Sequence, residues 1–294
     1  MKKVKKRIFM SVLLPLMALS LAACGNGNSG TDSAGSGNAA TGGGTASSSA
    51  PAASGEGLPE KVKFASDASY APMEYMDKDK IAGFDIDFIA EVMKEAGMEY
   101  EVVNTGWDTM LTSVQQGTEY HAGLSSVSIT EERKQTYDYS IPYFESTNMI
   151  MVKEGSEIKS ALDLKDKTVA VQTATTADSL MSEIMGLDNP KLKRYDSNAV
   201  ALMELQGGGA DAVVADNAIV GEYIKNNPDQ KVVGITDTEN FGAEYYGILY
   251  PKGSALKAKL DPAIRTVLEN GKYEEIYQKW FGEAPNMDSL LKAE

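Results

Sequence analysis

The sequence predicts an α/β protein built as two similar lobes with a cleft between them, and three observations carry this. From Leu58 onward, short apolar runs alternate with stretches of helical periodicity. The alternation restarts midway, after YSIPYFESTNMIMVKEG (139–155). Extended crossings join the two blocks: that segment and YYGILYPKG (245–253). Alternating β and α units favour parallel sheets with helices on their faces, and such sheets bind ligands beyond the carboxyl ends of their strands.

In the first block, KVKFAS (61–66) reads as a strand and DASYAPMEYMDKDKIAG (67–83) as a loop. FDIDFIAEVMKEAG (84–97) places Phe84, Phe88, Val92 and Ala96 on one helical face and stops at Gly97, a C-cap residue. MEYEVVNT (98–105) is a strand, WDTMLTSVQQG (107–117) a helix ending at Gly117, and AGLSSVSI (122–129) a buried strand. In the second block, KTVAVQ (167–172), KLKRYD (191–196), ADAVVAD (210–216) and QKVVGI (230–235) are strands. TADSLMSEIMG (176–186), SNAVALMELQGGG (197–209) and NAIVGEYIKNN (217–227) are the helices between them, the second N-capped by Ser197. Two further helices, within 254–271 and 273–282, close the chain.

The first 57 of the 294 residues read differently. MKKVKKR followed by IFMSVLLPLMALSLA has the basic and apolar regions of a signal peptide, assigned to residues 1–23. Ala22 and Ala23 before Cys24 resemble a bacterial lipobox, which implies that Cys24 carries lipid, palmitate included, on the extracytoplasmic face of the cell membrane. Cys24 is the only cysteine, so no disulfide framework or cysteine metal site is expected. Residues 24–57 collapse to Gly, Ser, Ala, Thr and Asn, the composition of a disordered tether spanning about 30 Å. Without residues 1–23, which hold five Lys/Arg and no acid, 23 basic residues face 42 acidic ones. That balance excludes nucleic acid as a partner and suits a soluble monomer outside the cell.

The segments GFDIDFIAEV (83–92), SITEERK (128–134), DLKDKTVAVQ (163–172), GADAVVADN (209–217), YGILYPKGS (246–254) and NGKYEEIYQKWFG (270–282) occur in this order. Together they resemble the family-3 extracellular solute-binding proteins of ABC-type polar amino acid importers, over about 62–282. Met93 stands where those proteins usually have a smaller residue. The resemblance implies a periplasmic-binding-protein type II fold. Its lobe 1 would be 58–145 plus 246–294, and its lobe 2 would be 146–245. The implied partners are a free polar or basic amino acid and the membrane domains of an ABC permease.

A free amino acid is a zwitterion, so its site needs a cation for the carboxylate and an acid for the ammonium. Arg133 suits the first, because a planar guanidinium binds a carboxylate through two parallel hydrogen bonds. Thr130 reads as the N-cap of the turn that carries it. The Ser128 hydroxyl and the Ser126 backbone are expected to complete the hydrogen bonds of both charged ends. The resemblance implies that Thr175 and Thr176, at a helix start, offer N–H groups and hydroxyls to the same carboxylate. Those relatives often have glycine where Ala174 stands. The resemblance also gives Asp216 the ammonium, and Asp67, Tyr70, Trp107 and Gln172 the side-chain pocket. These four suit a polar or basic ligand and disfavour an acidic one.

The sole histidine, His121, reads as structural, and no cofactor or metal site is expected. The rival readings are a lyase resembling cyclohexadienyl dehydratases, with Glu74 or Asp67 as general acid, and a ligand-sensing lipoprotein.

Overall fold

The computed structural model describes residues 57–293. The expected signal peptide, the lipid on Cys24 and all of the tether before Gly57 lie outside the described residues. In chain order the elements are β1 (Lys61–Ser66), β2 (Ser69–Tyr70), β3 (Glu74–Asp77), β4 (Lys80–Ala82), α1 (Phe84–Ala96), β5 (Glu99–Asn104), α2 (Trp107–Gln116), β6 (Ala122–Gly123) and β7 (Tyr137–Tyr139). Then follow β8 (Phe144–Lys153), β9 (Val169–Gln172), α3 (Thr176–Met185), β10 (Leu192–Tyr195), α4 (Asn198–Gly207), β11 (Ala212–Asp216), α5 (Asn217–Asn226) and β12 (Val232–Thr236). The chain finishes with β13 (Ala243–Tyr246), β14 (Leu249–Pro251), α6 (Ala255–Glu269), α7 (Lys272–Phe281) and α8 (Met287–Lys292).

Two principal sheets organise these elements, in the orders β5-β1-β6-β14-β7 and β10-β9-β11-β8-β12. Both are mixed rather than wholly parallel. β14 runs antiparallel to β6 and β7, and β8 antiparallel to β11 and β12. The reason is connectivity: β8 and β14 leave the long crossings directly, without the helical crossover that a parallel neighbour requires. The crossings themselves pair, from Thr147↔Ala243 to Phe144↔Tyr246.

Both sheets are covered on two faces, which is why β11 reads as a continuous apolar run. Ala212 and Val214 face a core with Val169, Val171 and Met181 of β9 and α3. Val213 and Ala215 face the other side, with Leu202, Leu205 and Ile219 of α4 and α5. On the first sheet, Phe84, Phe88, Ile89, Val92 and Met93 of α1 are fully buried, and α1, α6 and α7 pack together. Phe84 meets Phe144 and Tyr277 edge-on, Phe144 stacks on Tyr277, and Phe281 lies tilted against both phenylalanines in this core. At its margin the Trp280 indole donates to Asp87 Oδ2 at 2.7 Å and meets Tyr75 edge-on.

The expected stops at Gly97 and Gly117 and the Ser197 cap are present. Three local readings differ. The loop 67–83 holds the small antiparallel sheet β2-β3-β4, whose short strands lack the length that marks a strand in sequence. The strand expected over 122–129 is regular only at Ala122–Gly123 and returns as a single antiparallel bridge from Ser128 to Tyr246, because a positive φ of 50° at Ser126 breaks its extension. The helix α8 was not expected from the sequence.

Gly83 fixes the approach of α1. Its φ is +140°, and a Cβ there would lie 2.0 Å from the Met73 carbonyl oxygen. The close contact lets Phe84 and Asp85 donate their N–H groups to the carbonyls of Pro72 and Met73, both at 2.9 Å. Glu74 and Asp85 are thereby held side by side beneath the cleft.

Candidate functional site

The strand ends bring the site together. β1 delivers Asp67, the chain after β6 delivers Ser125 and Ser126, β9 delivers Gln172, and β11 ends on Asp216. All ten residues that the sequence assigns to ligand binding line one cavity. Glu74 and Ser125 line it as well.

Arg133 opens a short 3₁₀ turn, and the Thr130 hydroxyl accepts its N–H at 3.1 Å, as expected of a cap. The side chain turns inward. Nη1 donates to the Ser128 carbonyl at 3.0 Å, Nη2 to the Ala174 carbonyl at 2.9 Å, and the guanidinium lies 5.6 Å from the centre of the Trp107 ring. Trp107 is the first residue of α2 and is buried. The indole therefore floors the guanidinium, a contact with cation–π character.

From the second sheet, Thr175 caps α3, its hydroxyl accepting from the Asp178 N–H at 3.2 Å. Ala174 takes a φ of +58°, the left-handed conformation that favours glycine. That conformation lets its N–H meet Asp178 Oδ2 at 3.1 Å while its carbonyl faces Arg133. Gln172 donates to Asp67 Oδ2 at 3.0 Å and accepts from Asn198 Nδ2 at 2.6 Å.

Asp216 precedes α5 but makes no side-chain cap, so a plain helix-capping role does not account for it. Its Oδ2 accepts instead from the hydroxyls of Tyr70 and Tyr246, the latter at 2.6 Å. Burial raises the Asp216 carboxyl to about 6, helped by the negative charge of Glu244 and opposed by the two tyrosines and Arg133. Burial also raises Asp67.

Below the cavity, Ser125 Oγ donates to Glu74 Oε1 at 2.6 Å. The Ser126 N–H and the Tyr143 hydroxyl donate to Asp85 Oδ2 at 3.0 and 2.9 Å. Burial drives the Glu74 carboxyl well up, reinforced by Asp85, and burial brings Asp85 to about 7. The pair is thus biased toward holding a proton, and the Ser126 N–H already serves Asp85.

His121 is structural: its Nδ1 accepts from the Lys63 N–H at 2.9 Å. Among the described residues no group of His, Cys, Asp and Glu is arranged to hold a metal ion, and no helix is long and apolar enough to cross a membrane.

Sequence reasoning missed Glu244, Asn148 and Tyr246, which meet the site from the crossings. Glu244 accepts from Ser128 Oγ at 2.6 Å, Thr176 Oγ1 at 2.8 Å and Asn148 Nδ2 at 2.6 Å. The Thr176 hydroxyl, expected to serve a ligand carboxylate, and the Ser128 hydroxyl, expected to help complete the hydrogen bonds of both charged ends, have their protons committed to Glu244. A two-residue alternation along AEYY, putting Glu244 and Tyr246 on one side of β13, was the available signal.

Two mixed α/β sheets joined by paired crossings, with a polar cleft at their strand ends, define a two-lobed binding-protein architecture of the periplasmic type II class. The chain belongs to the bacterial extracellular solute-binding proteins, family 3, whose family model matches residues 62–283. It is 36% identical over 279 residues to a probable histidine-binding protein of Neisseria gonorrhoeae, covering 94% of this chain and 96% of that one. Among solved structures, it resembles the arginine-, lysine-, histidine-binding protein ArtJ of Geobacillus stearothermophilus, at 51% identity and a TM-score of 0.77. That match covers 79% of this chain and 99% of ArtJ. An ancestral amino acid-binding protein, a precursor of cyclohexadienyl dehydratase, matches at 33% identity and a TM-score of 0.66, over 76% of this chain and 95% of its own.

Proposed function

We propose that this protein captures a free polar or basic L-amino acid in the cleft and delivers it to an ABC importer. The observation that carries this reading is the pairing, in one cavity, of an inward-facing guanidinium at Arg133 with a buried acid at Asp216. Such a pair complements a zwitterion. The names of the relatives, which bind histidine, arginine and lysine, support a basic guest. Asp67, Gln172 and Glu74 supply the acceptors that a guanidinium, ammonium or imidazole would need. Tyr70 and Trp107 supply apolar ring surface.

The lobes meet, in this reading, at the crossings near 145/146 and 245/246. Ligand bridging the two sides shifts the population from open to closed, and the closed form engages the permease. Lipid at Cys24 would hold the protein on the outer face of the cell membrane. Radiolabelled palmitate should enter the wild type and not Cys24→Ala, and retention of label in that variant would remove the anchor from the proposal.

Calorimetry across the twenty amino acids tests the central reading. Arg133→Ala should cost ~3–5 kcal/mol of binding, because the ligand carboxylate is then buried without its partner. Unchanged affinity would end the role given to Arg133. The dehydratase-like alternative draws on the buried, proton-holding Glu74 and on the ancestral relative, and release of a chemically altered product from bound ligand would favour it.

A further inference from the structure

β13 alternates its side chains between two surroundings. The Tyr245 hydroxyl meets Ser289 Oγ at 2.9 Å, away from the cleft, while Glu244 and Tyr246 both reach into it. Glu244 Oε2 receives two hydroxyls, Ser128 Oγ from the first side and Thr176 Oγ1 from the second. Oε1 receives Asn148 Nδ2, which also reaches Thr176 Oγ1 at 3.3 Å. Both hydroxyls donate to the same oxygen, so both of their protons point at Glu244. A hydroxyl has one proton. With it spent, Ser128 offers the cavity lone pairs alone, and lone pairs attract a cation and repel a carboxylate.

We propose that Glu244 is a positioning residue that fixes the Ser128 and Thr176 hydroxyls as acceptors, so that this part of the cleft takes the ligand's ammonium. The ligand carboxylate is then left to Arg133 and to backbone N–H groups. Glu244 itself touches no ligand; it decides which end of the zwitterion the hydroxyls serve. The inference rests on the amino acid reading above and adds a residue that sets the orientation of the guest.

The experiment uses the whole protein, with L-arginine and 5-guanidinopentanoate, the same molecule without its α-ammonium, as probes in calorimetry. Binding of L-arginine to the wild type checks the underlying reading, and its absence would overturn that reading rather than the role of Glu244. Glu244→Leu, which cannot accept, should weaken L-arginine at least tenfold and leave 5-guanidinopentanoate unchanged or tighter. Glu244→Gln should stay within about threefold for both. Its amide oxygen can still accept both hydroxyls, and its NH₂ can meet Asn148 Oδ1, which is buried without a partner, or the same atom after that amide turns.

Equal loss for both probes in Glu244→Leu, or no loss for either, would overturn the proposal. So would a glutamine variant as impaired as the leucine one, since charge rather than acceptor capacity would then be at work. Ser128→Ala tests the same point should the leucine variant fold poorly. It should reproduce the selective loss of L-arginine, and loss of both probes alike would count against the inference.

Discussion

At Asp216 the cleft has made a carboxyl into a weak acid, because burial penalises its charge more than two tyrosine hydroxyls and Arg133 relieve it. The sign of the resulting pH dependence follows. In the ligand-free protein the group takes a proton below about pH 6. An ammonium beside it favours the ionised form and lowers its pKa in the complex, so binding below that pH expels a proton. Affinity for the amino acid should be level from pH 7 to 8 and fall about tenfold per unit below pH 6. Asp216→Asn should bind weakly at every pH and lose the slope. Calorimetry between pH 5 and 8 measures both, and a wild-type affinity that rises on acidification would contradict this account. For stability the sign is opposite to that of an ion-paired aspartate. The folded value lies above the ordinary value of about 3.9, so Asp216 costs stability increasingly as pH rises from there through 6.

The turn into α3 shows how an element can be right in its parts and strained at its joint. Thr175 caps the helix, yet the residue before it is an alanine in left-handed backbone. That conformation costs a residue with a Cβ ~1–2 kcal/mol. Both of its polar contacts are made by backbone atoms, so glycine would keep them. Ala174→Gly should therefore stabilise the protein by about 1 kcal/mol, less the extra freedom it gives the unfolded chain, and thermal melting reads the change. A lowered melting temperature would show that the strain is already relieved.

The same element shows what sequence could and could not reveal. Helix starts, caps and strand ends are local, so Thr175, Gln172 and Asp216 could be placed from short segments. Proton direction is not local. Ser128 lies 116 residues from Glu244, and Ser125 lies 51 from Glu74. Nothing in SSVSI tells which hydroxyl has already given its proton away. The mixed character of both sheets was hidden likewise, since an apolar strand reads the same in either direction.

Over the molecule as a whole, the two sheets touch across the cleft through side chains that a ligand would also address. Arg133 reaches Ala174, Gln172 reaches Asp67, and Tyr70 reaches Asp216. Behind them, the crossings β8 and β13 pair antiparallel, with an aromatic backing of Phe144, Tyr246 and Tyr277. If ligand draws open molecules into this contacted arrangement, as proposed above, saturating amino acid should shrink the radius of gyration in small-angle scattering, and Arg133→Ala should blunt the shrinkage at equal ligand concentration. A radius unaffected by bound ligand would remove closure from the mechanism. The placement of the two tryptophans has an optical consequence. Trp107 lies beneath the guanidinium in the cavity, whereas Trp280 is fastened to Asp87 at the edge of the first sheet's aromatic core. Replacing Trp280 with phenylalanine would leave a single tryptophan, whose emission, excited apart from that of the tyrosines, should follow the guest and make the protein its own fluorescent gauge of occupancy.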